Sequence, residues 1–131
     1  MTNAANLAAV ASTTYGYANA TKLQSGGVTT NALAWVNFNG TSSSPITPRS
    51  SYNVSSITKS STALYTVNFT TATTDANYAV LASFGNYGGT SATAIIGSAN
   101  PINTSSCFVN TRNATNSDNA YDSVSLAVFG N

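Results

Sequence analysis

Residues 64–69 read Leu64-Tyr65-Thr66-Val67-Asn68-Phe69, and this run decides the fold. Tyr65, Val67 and Phe69 fall on one side of an extended chain and Leu64, Thr66 and Asn68 on the other, the period-two pattern of a half-buried strand. The pattern recurs on both sides. Upstream, Ala34, Val36 and Phe38 alternate with Trp35, Asn37 and Asn39, and the run stops at the turn dipeptide Asn39-Gly40. Pro45 and Pro48 mark a loop, after which Tyr52 and Val54 alternate with Asn53 and Ser55 on the way to Ile57. Downstream, Asp75-Ala76-Asn77 turns the chain into Tyr78, Val80, Ala82 and Phe84, with Ala79, Leu81 and Ser83 opposite. Tyr52, Tyr65, Tyr78 and Phe84 are therefore expected in the core. Gly85-Asn86-Tyr87-Gly88-Gly89 is the strongest loop signal in the chain. Further strands are expected at residues 92–96, 106–111 and 123–129, with the polar segment 113–118 between the last two. Val128-Phe129-Gly130-Asn131 builds the C-terminal run into a sheet, and a sheet edge is a site where copies can pair. Seven short strands with frequent turn signals predict an all-β fold: an antiparallel β-sandwich, jelly-roll or immunoglobulin-like.

Residues 1–32 read differently. Leu7, Ala8, Val10 and Ala11 have partly helical spacing, and Ala is the best helix former. The stretch predicts a short N-terminal arm or helix, with Leu7, Val10, Tyr15 and Tyr17 as candidate docking contacts. Lys22-Leu23-Gln24-Ser25-Gly26-Gly27 then reads as a linker. The expected organisation is a docking or oligomerisation arm over residues 1–32 and a sandwich head over 33–131.

Composition narrows the function. Only 5% of the 131 residues are charged, against roughly 25% in a typical soluble domain. Solubility rests instead on 17 Asn, 20 Thr and 19 Ser, residue types that favour turns and strands. A net charge of +1 gives no basic stripe for nucleic acid and little repulsion between copies, so self-association is expected and nucleic-acid binding is not. No stretch approaches the roughly 20 apolar residues of a membrane-spanning helix, and no membrane contact is expected.

The same composition argues against catalysis. General acid–base chemistry draws chiefly on His, Glu, Asp, Lys and Tyr, and His and Glu are absent. Asp118 and Asp122 are close enough in sequence to suggest a carboxylate pair, yet both sit in an Asn- and Ser-rich stretch where Asp commonly forms turns. Asp75 reads the same way. A calcium site from Asn116, Asp118 and Asp122 matches no EF-hand spacing, and a solvated turn is the expectation. Cys107 is a lone cysteine in the apolar run Cys107-Phe108-Val109 and reads as a buried, inert thiol. The pattern Asn-x-Ser/Thr occurs at Asn19, Asn39, Asn53, Asn68, Asn103 and Asn113, about as often as this composition gives by chance. No cofactor is expected. The candidate ligand contacts are Asn86, Tyr87, Asn116 and Asp118, because an exposed ring stacks on a sugar or peptide while neighbouring amides hydrogen-bond it.

The blocks Ala34-Trp35-Val36-Asn37-Phe38-Asn39-Gly40-Thr41 and Ser51-Tyr52-Asn53-Val54-Ser55-Ser56-Ile57 carry a family resemblance. It continues through Tyr65-Thr66-Val67-Asn68-Phe69-Thr70-Thr71-Ala72, Asp75-Ala76-Asn77-Tyr78-Ala79-Val80 and the closing Val128-Phe129-Gly130-Asn131. Together they resemble a β module of marine bacteriophage tail-fibre and other virion proteins, over about residues 33–131. The resemblance implies a non-enzymatic, trimeric module that partners other virion proteins on the particle exterior. A fibre needs a long shaft, which residues 1–32 do not supply, so a capsid decoration, knob or short head fibre is expected first. A tail-fibre tip binding a host surface glycan comes second. A free carbohydrate-binding module comes third.

Overall fold

The computed structural model describes residues 24–25, 28–29, 31–86, 88 and 96–130. The chain divides after Asn31 into two units. In the first, strands β1 (Gln24–Ser25) and β2 (Val28–Thr29) pair antiparallel, Gln24 opposite Thr29 and Ser25 opposite Val28. Gln24 and Ser25 of the expected linker are thus strand residues, and its other residues, Lys22, Leu23, Gly26 and Gly27, lie outside the described residues. The candidate docking contacts Leu7, Val10, Tyr15 and Tyr17 lie outside the described residues.

The second unit is an antiparallel β-sandwich. Strands β3 (Ala34–Phe38), β4 (Pro48–Tyr52), β7 (Ala79–Gly85) and β10 (Ser123–Phe129) form one sheet in the order β4-β3-β10-β7. Strands β5 (Val54–Ser61), β6 (Leu64–Phe69), β8 (Ile96–Asn103) and β9 (Ser106–Arg112) form the other in the order β5-β6-β9-β8. Eight strands replace the expected seven, the count of a jelly roll rather than of a seven-stranded immunoglobulin domain.

One local feature accounts for the extra strand. Residues 52–57 do not continue as one strand, because Asn53 takes a left-handed backbone (φ 55°) and the chain leaves the first sheet there for the second. Pro48, expected in a loop, opens β4 instead. The strand expected at residues 92–96 differs in bounds: β8 begins at Ile96 and runs through Asn100 and Pro101 to Asn103. Both prolines are tolerated because β4 and β8 are edge strands, where a missing ladder donor costs little. Residues 92–95 lie outside the described residues.

Alternation sets the core. Val36 faces Leu126 and Phe38 faces Val124 in one sheet, Tyr65 faces Val109 and Val67 faces Cys107 in the other, and all eight are buried. The Phe38 and Tyr65 rings meet edge to face with centroids 5.2 Å apart, and Phe69 meets Tyr78 likewise at 5.8 Å. Each fully buried side chain of this size contributes about 1.5–3 kcal/mol. Gly97 lets the Phe84 ring of β7 lie against β8, since a methyl group there would overlap that ring. Tyr52 departs from expectation and is exposed, because the corner at Asn53 breaks the phase that would have carried it inward.

Side-chain hydrogen bonds to backbone carbonyls close both ends. At one, Asn53 Nδ2 donates to the carbonyls of Leu33 (2.9 Å) and Thr71 (3.0 Å), and its Oδ1 accepts from Thr71 N (2.7 Å). At the other, the buried Tyr65 hydroxyl donates to Gly40 O at 2.9 Å, and Lys59 Nζ donates to the carbonyls of Gly40 and Ser42. A side chain at Gly40 would meet both Tyr65 Oη and Tyr121 O, at 2.6 and 2.7 Å. The buried polar residues among those described, Ser106 and Thr111, are both hydrogen-bonded.

Asn53→Ala is expected to destabilise the sandwich by about 2–4 kcal/mol, combining the cost of a left-handed non-glycine residue with three lost hydrogen bonds. Asn53→Gly removes only the hydrogen bonds and should fall between Ala and wild type in urea denaturation. Equal losses for the two variants would show that the backbone conformation contributes nothing.

Candidate functional site

The outer face of the β5-β6-β9-β8 sheet carries a groove of about 590 Å³. Its floor is set by register. Ser61 pairs with Leu64, Leu64 with Asn110, and Asn110 with Ser98, so one row of side chains crosses all four strands. Phe108 and Arg112 flank Asn110 along β9, on the face opposite the buried Cys107, Val109 and Thr111. The groove therefore joins a half-buried aromatic ring to amide, hydroxyl and guanidinium groups.

Arg112 organises its rim. Nε donates to Asn110 Oδ1 at 2.8 Å and lies 3.4 Å from Asp118 Oδ1, and Nη1 donates to Asn116 Oδ1 at 3.0 Å. The loop that brings Asn116 and Asp118 there is held by Asn113. Its Oδ1 accepts from Thr115 N and Ser117 N, and its carbonyl accepts from Asn116 N. Asn116 adopts a left-handed conformation (φ 61°), and Asp118 bridges back to Arg112. The ion pair is half exposed and contributes at most about 1 kcal/mol. Its role is geometric: it fixes the guanidinium plane.

The outer face of the β4-β3-β10-β7 sheet is different in kind. Tyr52 pairs with Trp35, Trp35 with Ala127, and Ala127 with Leu81, again a row across four strands. Tyr52, Trp35 and Leu81 are 49%, 38% and 57% exposed, and Phe129 nearby on β10 is 36% exposed. The adjacent row is polar but uncharged: Ser50, Asn37, Ser125 and Ser83. Arg49 Nη1 reaches this row, donating to Asn37 Oδ1 at 3.4 Å.

Of the expected ligand contacts, Asn116 and Asp118 meet at the groove. Asn86 is exposed just beyond β7, whose last residue Gly85 pairs with Ser123, the first of β10. That places it at the same end of the sandwich as the 113–118 loop. Tyr87 lies outside the described residues. Asp75 is a turn former, its Oδ1 accepting from Asn77 N at 2.7 Å. Sequence reasoning missed Phe108, Asn110 and Arg112 as site residues. It also missed the Trp35 row, although Trp35 and Leu81 do stand out as apolar residues in the outward phase of their strands. No protein-family model, curated protein or solved structure matches this chain.

Cys107 and Tyr78 lie away from both faces. Burial pushes the Cys107 thiol up to about 12, and burial, then the neighbouring Cys107, pushes the Tyr78 phenol up to about 12. Both groups stay protonated when folded at a pH where the unfolded chain ionises, near 9 for Cys and 10 for Tyr. Above about pH 9 the native state thus binds more protons than the unfolded one, and stability falls as pH climbs toward 12. The urea midpoint is expected to drop between about pH 8 and pH 11, and less so in Cys107→Ala. A thiol reagent at about pH 8 should label Cys107 only after unfolding. Prompt labelling of native protein would contradict the buried thiol.

Proposed function

We propose that this chain is a non-enzymatic structural module of the bacteriophage particle exterior, assembled with other copies of itself through the outer face of the β4-β3-β10-β7 sheet. The observation that carries the association is the row Tyr52, Trp35, Ala127 and Leu81, apolar across the whole sheet, with Tyr52, Trp35 and Leu81 exposed and Ala127 half-buried. Soluble monomers rarely expose contiguous apolar patches above a few hundred Å², and larger ones commonly mark contact surfaces. Aromatic residues are enriched in interfaces while charged ones are depleted from their centres, and this row has the same character. A net charge of +1 leaves copies little electrostatic reason to stay apart. The virion setting and the trimeric number rest on the resemblance to phage virion modules over about residues 33–131. A capsid decoration, knob or short fibre is the form proposed. A tail-fibre tip or other receptor-contacting role is the second reading, favoured by the Arg112 groove on the opposite sheet.

Sedimentation of the full-length protein is expected to show a single oligomer, and a trimer if the virion resemblance extends to assembly. Trp35→Ser combined with Leu81→Ser should shift it to monomer with unchanged circular dichroism, because both side chains lie on the outer face of the sheet and outside the buried core. A wild-type monomer at concentrations of about 100 μM, well above what a stable interface requires, would end the association reading. Antibody labelling of intact particles checks the address.

A further inference from the structure

We infer that the groove on the β5-β6-β9-β8 sheet is a binding site for a neutral saccharide, read through its hydroxyl groups by Arg112 and Asp118. This deepens the receptor-contacting reading and is independent of how copies assemble.

The argument starts from unused hydrogen-bonding capacity. Arg112 spends Nε on Asn110 and Asp118 and one Nη1 donor on Asn116. Its Nη2 makes no hydrogen bond among the described residues, and neither does Asp118 Oδ2. A fixed donor and a fixed acceptor therefore stand side by side on one ion pair, at the edge of a groove. A sugar hydroxyl both donates and accepts. Two neighbouring hydroxyls can accept from Nη2 and donate to Oδ2 together. The bonds to charged groups are the stronger kind.

Pre-organisation favours this use. An arginine side chain ordinarily loses much rotamer freedom when it binds. Here the plane is already fixed by Asn110, Asn116 and Asp118 before any ligand arrives. The half-buried Phe108 adds an apolar surface on the same strand, suited to the C–H face of a pyranose ring. Ser98 and Asn110 extend polar contacts along the row, which spans four strands, or about 14 Å between the outer two. The groove's volume of about 590 Å³ falls within the roughly 300–1,000 Å³ of small-ligand sites.

Charge selects the class. Asp118 cancels the charge of Arg112, so the rim offers an anion no net attraction and sets a carboxylate beside it. A sialylated or uronate ligand would meet that carboxylate, while a neutral sugar would use it as an acceptor.

The test uses labelled full-length protein on an array of neutral and acidic glycans. Amide and Arg side-chain nuclear magnetic resonance titrations then follow with maltotriose, cellotriose, chitotriose and sialyllactose at up to about 10 mM, beyond the weak end of measurable affinity. The expected result is selective binding of a neutral glycan, with shifts centred on Phe108, Asn110 and Arg112. Arg112→Ala and Asp118→Asn should each weaken it by about tenfold or more, with unchanged circular dichroism. Asp118→Asn keeps the shape and serves where the alanine variant perturbs the loop. Binding of acidic glycans alone would overturn the inference. So would full affinity in both variants, or no binding by any neutral glycan. The oligomeric state of the same variants is measured in parallel: if assembly persists while glycan binding fails, the inference has failed and the structural role stands.

Discussion

One left-handed residue, Asn53, turns the chain from one sheet into the other between β4 and β5, and its side chain ties together the ends of strands in both. Asparagine enters this conformation more readily than other non-glycine residues. Its side chain is then placed to bond Leu33 O, just ahead of β3, and both backbone groups of Thr71, just after β6. Its own carbonyl accepts from Thr70 N. These are strand-end groups without ladder partners, and an unpaired backbone group away from water costs about as much as a lost hydrogen bond. The same turn leaves Tyr52 pointing out beside Trp35, and a register shift between Val54 and Ser56 then brings both Val54 and Ile57 to the core side of β5.

The turns explain how so few charges suffice. Asn39, Asn103 and Asn113 each accept a backbone N–H from two residues ahead, and Asp75 does the same through its carboxylate. A turn needs an acceptor oxygen at that position, and ionisation adds little to an exposed one. Asparagine therefore replaces aspartate at most of these sites without loss of geometry. Lys59 is the exception: its ammonium group caps two carbonyls and sits 5.8 Å from the centroid of the Tyr65 ring. Three donors on one flexible stem do there what no Ser or Asn side chain can reach.

Alternation made β3, β6, β7, β9 and β10 legible, because each has one buried face and a side-chain period of two. It failed where the backbone decides rather than the side-chain pattern. Nothing in Tyr52-Asn53-Val54 distinguishes a continuing strand from a corner, since the extended pattern survives on both sides of the break. A proline argues against a strand interior, so the run of β8 through Pro101 is legible only once that strand is known to lie at an edge. The site was half legible for a related reason. Asn116 and Asp118 could be found as polar loop residues, but their partner Arg112 gains meaning only when the loop folds back on β9. Ser98, Asn110 and Leu64 become neighbours only through register between strands far apart in sequence.

A sandwich offers neighbours two broad faces and four edge strands. Three of the four edges are poor templates for pairing: β4 begins with Pro48, β8 contains Pro101, and β5 shifts register twice along its partner, whereas β7 runs in unbroken register with β10. The C-terminal strand β10, expected from sequence to reach a pairing edge, lies between β3 and β7 with both ladders filled. The two faces are chemically unlike. One bears an uncharged apolar row, and the other places Arg112 and Asp118 over a polar groove. In the proposed arrangement a module held by the first face turns the second outward, so attachment and recognition would draw on separate residues.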